Sequence, residues 1–180
     1  MPTDRLRAVL RRHASSVVVV TAAGPPPVGC TVTSFTSVSL EPPLVSFCLD
    51  RTASAWPTVA IAEYVGLHIL AAGQEQVART FAEHGADRFG PDTPWHPGPF
   101  GLPLLDGVLG WLAGRIVARV PAGDHTIVIA EPLAGAPGDD APALVYHRRH
   151  YQQLSQLDLH GFEQMIEQWV LEYAEQYAAQ

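Results

Sequence analysis

The chain has 180 residues, 47% of them hydrophobic and 16% charged, which is enough length and apolar content for one domain with its own core and excludes a disordered tail. Its 11 basic residues are all arginine and face 18 acidic ones, for a net charge of −7, so no basic surface suited to tracking nucleic acid is available. No apolar run reaches the roughly 20 residues that span a bilayer, and MPTDRLRAVLRRHASS lacks the apolar stretch and cleavage site of a secretory leader, so the expected setting is cytoplasmic, without a membrane partner.

In chain order, residues 4–13 place Leu6, Val9 and Leu10 on one face of a short surface helix capped by Thr3 or Asp4, with arginines around them. Ser16 to Ala22 is a β-branched run ended by Gly-Pro-Pro-Pro, which predicts a strand buried on both faces, with Val28 to Ser34 as its hairpin partner. Cys30 and Cys48 show no metal-ligand or disulfide spacing and read as small core residues; no metal is expected. Leu44 to Leu49 and Tyr64 to Leu70 predict further strands, separated by a helix over 53–62 interrupted at Pro57. Gln74 to His84 is helical in period, and Gly85 to Gly107, with five prolines and five glycines, predicts a long ordered loop without regular elements. Leu109 to Val120 is a long strand with Leu112, Ile116 and Val120 on one face and Arg115 and Arg119 on the other. With His125 to Pro132 and Ala143 to Tyr146, six or seven strands suggest a closed or nearly closed barrel with peripheral helices over residues 1–154. From Leu159 a three- and four-residue apolar period predicts an amphipathic helical extension over 155–180.

No hydrolase, Walker or dinucleotide-fold motif is present. Four polar clusters remain. Thr31, Val32, Thr33 and Ser34 close the second strand, where alternation puts both threonines on one face; alone, they fit a Thr-rich edge strand. Asp50, Arg51, Thr52, Ala53 and Ser54 form a strand-to-helix junction whose N–H groups, hydroxyls and guanidinium suit a phosphate or an ordinary helix cap. Gly123-Asp124-His125 sits between two strands, with Asp124 able to orient the imidazole, as turn residues also do. Tyr146 to Tyr151 is a basic and aromatic cluster, either a solvated face or a dock for an anionic dinucleotide.

In this order and spacing, the clusters resemble the short-chain flavin reductases, the reductase components of two-component flavin monooxygenases. GCTVTSFTSVSLEPPLVSFCLDRTASAWPTV, LAAGQEQVARTFAEHGADRF, GDH and LVYHRRHY carry the likeness over residues 5–154. The resemblance implies an FMN-binding split β-barrel, a homodimer, FMN or FAD as flavin, NADH or NADPH as co-substrate, and a separate oxygenase that receives reduced flavin. It places Thr31 to Ser34 along the flavin ring and ribityl chain and Asp50 to Ser54 around the phosphate, with Phe81, Arg88 and Phe89 closing over the flavin. By the same resemblance, His125 positions the nicotinamide dinucleotide beside Asp124, and Tyr146, Arg148 and Arg149 flank it. Two other readings stand beside this one. A ligand-binding scaffold without turnover is motivated by the C-terminal extension, and a pyridoxamine-phosphate oxidase is disfavoured because Arg51 alone is a sparse phosphate site.

Overall fold

The computed structural model describes residues 1–154, and the expected extension over 155–180 lies outside them. The valine run becomes β2 (Val18–Ala22), buried along its whole length. Successive side chains leave opposite faces of a strand, so Val18 and Val20 enter one apolar cluster with Phe47, Leu67 and Val128. Val17 and Val19 enter a second, with Leu70, Phe81 and Leu144. Each such valine withdrawn from water is worth roughly 1.5–3 kcal/mol, which makes this strand the divider between two cores.

Around it lie β3 (Val28–Val32), β4 (Thr36–Leu40), β5 (Pro43–Asp50), β6 (Tyr64–Ile69), β9 (Gly110–Ala122) and β10 (His125–Pro137). They form one antiparallel sheet in the order β3-β2-β6-β9-β10-β5-β4. The expected barrel closure is not reached. Because β4 occupies the second edge of β5, β3 meets β5 chiefly through Ser34, whose Oγ accepts from Cys48 N at 2.8 Å and donates to Cys48 O at 3.2 Å. A smaller sheet joins β1 (Ser15–Ser16), β11 (Leu144–His147) and β12 (His150–Gln153).

Several local expectations are corrected. The helix expected over 53–62 is only α2 (Trp56–Val59), and Pro57 lies in its first turn, where a missing N–H is harmless, instead of interrupting it. Within 85–107 the chain forms a hairpin, β7 (Trp95–Pro97) with β8 (Pro103–Leu105). Leu102 to Leu105 are all buried, which compensates for the breakers around them. On β9 the expected face alternation fails after Ile116, because Ala130 pairs Ile116 while Ile129 pairs Ala118, leaving Val117 as a bulge. Val120 is consequently exposed, and Arg119 instead donates to the carbonyls of Val59 and Ala62.

α1 (Thr3–Leu10) follows Pro2 with no side-chain cap and buries no residue, so its apolar face lies open on the described surface. α3 (Glu75–Ala82) buries Ala78 and Phe81. Gly66 on β6 has no room for a Cβ: one built there would clash with Thr21 Oγ1 and lie 2.9 Å from His68 Cε1. Thr21 is fully buried and donates to Pro103 O at 2.9 Å, so it cannot step aside. Gly66→Ala is therefore expected to destabilise the fold by about 2 kcal/mol, read as a lower urea midpoint with unchanged slope.

Candidate functional site

The carboxyl end of β5 brings two of the polar clusters together. Strand register pairs Asp50 with His125, the first residue of β10, so the β5 terminus and the Gly123-Asp124-His125 turn lie side by side. Gly123 has φ 63°, the left-handed value that a two-residue hairpin with Gly at its first central position needs. Arg51 fixes the two segments: its backbone N donates to Asp124 O at 3.2 Å and its guanidinium donates to Gly123 O. Arg51 thereby braces the β5 terminus against the turn, and the remaining N–H groups of its fork are left for a ligand.

Asp50 Oδ1 accepts from Thr52 N at 2.7 Å and from Thr52 Oγ1 at 2.8 Å. These bonds favour the carboxylate and hold Asp50 below its ordinary pKa, and they form a local turn, while α2 starts only at Trp56. Asp124 is likewise held low, chiefly by its bond to His125, with Asp124 Oδ1 and His125 Nδ1 2.7 Å apart. A carboxylate only accepts, so Nδ1 carries the proton and Nε2 is left for a ligand.

Of the first cluster, Val32 is core and Thr31 Oγ1 donates to Ala78 O at 2.7 Å, tying β3 to α3. Ser34 serves the β3–β5 clasp. Thr33 is exposed, and no hydrogen bond engages its hydroxyl among the described residues. Thr33 and Ser34 border a trough of about 620 Å³ whose other wall includes Tyr146, Arg148 and Arg149, so two clusters separated by more than a hundred residues share one cavity. That trough also takes Arg7 and Arg11 from α1, which the sequence reading left out; their spacing of four on a helix was the available signal.

Ser54, Arg88 and Phe89 line a second recess of about 250 Å³, together with Pro26 and Pro27. Arg88 donates to Glu83 O at 2.6 Å and Phe81 O at 3.4 Å, closing the end of α3, which leaves further N–H groups of its fork for a ligand. Phe81 is fully buried, edge-on to Phe89 at 5.4 Å, and backs Phe89 from the core. Ala53 is half-buried against the first core. Tyr146 leans on Tyr151 at 5.1 Å, and the Arg79 guanidinium stacks 5.1 Å above the Tyr151 ring.

A model of the flavin reductase-like domain matches residues 10–155. The chain belongs to the flavin reductase-like family. An NADH:FMN oxidoreductase of Rhodococcus erythropolis is 41% identical over 150 residues, covering 81% of this chain and 78% of that one. An NADH-dependent FAD reductase of Streptomyces globisporus is 42% identical over 146 residues, covering 73% and 76%. Among solved structures, the flavin reductase component of a bacterial two-component tryptophan halogenase superposes with a TM-score of 0.79 at 34% identity, covering 86% of this chain and 99% of that one. The family match spans every cluster described above, from the α1 terminus to β12.

Proposed function

We propose that this member of the flavin reductase-like family is an NAD(P)H:flavin oxidoreductase that delivers reduced FMN or FAD to a separate oxygenase. The carrying observation is the Asp50–His125 register, which sets an imidazole with an open Nε2 beside the β5 terminus, from which the Asp50 to Ser54 turn departs. The names of the relatives, an NADH:FMN oxidoreductase, an NADH-dependent FAD reductase and a halogenase reductase component, support the reaction and the division of labour.

The residues present fit a flavin. The exposed hydroxyls of Thr33 and Ser54 engage no partner among the described residues, and Arg88 brings positive charge to the recess that Ser54 lines. Thr33 and the backbone of Val32 and Ser34 would meet the ring and ribityl chain; Ser54, Arg88 and the N–H groups of Thr52 to Ser54 would meet the phosphate. A bound flavin would supply, at N5, the acceptor for the hydride that leaves the nicotinamide C4. Hydride transfer asks no acid of the protein at that carbon, so His125, held by Asp124, serves to orient the dinucleotide, and Phe89 shields the recess from water. The fold would then be the family's split barrel, its open seam lying at the Ser34–Cys48 clasp. A homodimer is part of the proposal; the apolar groove of about 610 Å³ along β9 and β10, which includes none of the cluster residues, is a surface a second copy could cover.

The test is loss of reduced-nicotinamide absorbance with the purified protein, NADH and NADPH each paired with FMN and FAD. Flavin-dependent loss is expected. Flavin binding without loss under any pairing would overturn the reading and leave the ligand-binding scaffold. A second check addresses the recess: Ser54→Asp sets a carboxylate against the phosphate and is expected to weaken flavin binding by about tenfold or more, measured by fluorescence quenching. Unchanged quenching would remove Ser54 from the site.

A further inference from the structure

α1 (Thr3–Leu10) needs a covering partner. It has eight residues and no side-chain cap, and it buries none of them among the described residues. A helix shorter than about 12 residues is marginal in water unless an apolar face is packed. Leu6, Val9 and Leu10 form such a face, at 41%, 63% and 58% exposure. Arg5, Arg7, Arg11 and Arg12 surround it, and none of them has an ion pair among the described residues. A backbone bond from Arg148 N to Arg11 O at 3.2 Å ties the end of the helix to the β11–β12 turn.

Residues 155–180, outside the described ones, have the complementary composition. Asp158, Glu163, Glu167, Glu172 and Glu175 are accompanied by no lysine or arginine, so these 26 residues carry five of the chain's seven net negative charges. Phe162, Ile166, Trp169, Tyr173 and Tyr177 recur at three- and four-residue steps, the period of a helix with one apolar face. The family match ends at 155, where this segment begins. Its reach is sufficient. Leu154 N donates to Ala143 O at 3.0 Å, and from there back to the turn beside α1 is four residues of strand, about 13 Å. In helical form the segment would span about 39 Å.

We propose that residues 155–180 form an amphipathic helix that covers the Leu6–Val9–Leu10 face of α1 in the same chain, with its carboxylates against Arg5 and Arg12. Charge selects this surface over the apolar groove along β9 and β10, whose lining, from Ile69 and Leu109 to Pro137, includes no charged residue. An acidic segment gains no electrostatic partner in that groove, whereas beside α1 it meets four guanidiniums. Docking also holds Arg7 and Arg11 in place as part of the trough wall. The proposal stands apart from the reductase reading, because the segment and the face it covers include no residue given above to flavin or nicotinamide.

Hydrogen exchange read by mass spectrometry on the full 180-residue protein tests this. Amides over 162–173 and over α1 are expected to exchange at least about tenfold more slowly than in an unstructured chain. Val9→Asp sets a carboxylate on the covered face at a side chain that the described fold leaves open, and it should speed exchange in both segments by about tenfold while β2 stays within about twofold of wild type. Arg5→Gln with Arg12→Gln keeps the apolar face and good helix formers, and should speed exchange over 162–173 by about threefold, as should raising salt from about 0.05 M to about 0.5 M with the wild type. Exchange over 162–173 at the unstructured rate in the wild type would overturn the proposal. Protection there that survives Val9→Asp would also overturn it, by seating the segment elsewhere. A drop in sedimentation mass with Val9→Asp would give the α1 face to a second copy and overturn it as well.

Discussion

His125→Ala is expected to lower kcat/KM for the reduced nicotinamide by about a hundredfold while leaving the flavin dissociation constant within about twofold of wild type, since misplacing a substrate by about 1 Å typically has an effect of that size. The split follows from where the imidazole sits. His125 is partly exposed at the start of β10, its Nδ1 held by Asp124 and its Nε2 pointing to no group of the described chain. The flavin groups argued above lie on β3, on the turn after β5 and after α3, and none of them hydrogen-bonds to His125. Stopped-flow reduction with flavin prebound measures the first quantity and fluorescence quenching the second. Equal loss of both would make His125 part of the flavin site, and loss of neither would leave the Asp50–His125 register without a function. Because positioning carries the effect, the pH profile of the residual activity should keep the wild-type shape; a vanished limb would instead assign His125 a proton transfer.

The sequence made the strands legible wherever burial follows a simple rule. The run at 17–22 is apolar without alternation because both of its faces are covered, and β6 likewise. Legibility ended where the rule is local to the backbone. The bulge at Val117 reverses the faces of β9 with no residue that announces it, and the β7–β8 hairpin hides among prolines because its stability comes from burying Leu102 to Leu105. The edge strand β4 was missed for the opposite reason: Thr36 to Leu40 has almost no buried side chain, so it has no apolar period to read.

The site divides similarly. Motifs singled out candidate residues, but spacing could not reveal that Thr31, Ser34, Asp50 and Arg51 engage partners of their own fold. Those four brace the frame, whereas the hydroxyls of Thr33 and Ser54 engage no partner among the described residues. Nor could a linear pattern show that α1 and the β11–β12 turn, at opposite ends of the described chain, meet in one trough.

Stability is expected to fall by about 3 kcal/mol as pH drops from neutrality to about 4 through His68 alone, a residue outside every site above. His68 lies on β6 with no exposed surface; its Nδ1 is 3.1 Å from Val19 O and its Nε2 has no partner. The Val19 carbonyl can only accept, so the proton is on Nδ1 and the ring is neutral. A second proton would put an N–H and a full charge where nothing receives them, and burial accordingly pushes the pKa from 6.5 down to about 4. His96, on the neighbouring hairpin, opposes the charge further.

The unfolded chain takes up its proton near 6.5, so between 6.5 and 4 it holds more protons than the folded one and stability declines with falling pH. The contribution is therefore fully present above 6.5 and lost by about 4, and the gap of about 2.5 pH units at about 1.4 kcal/mol each gives the size. His68→Gln keeps a donor for Val19 O and cannot titrate in this range. Urea unfolding of both proteins at pH 7 and pH 4.5 isolates the effect: the wild-type advantage should shrink by more than about 2 kcal/mol, whatever Asp50 and Asp124 contribute to both. A difference that stays constant between the two pH values would mean that His68 is reached by water in the folded state, and that the β7–β8 hairpin does not seal β6 as the burial of Leu104 and Leu105 implies.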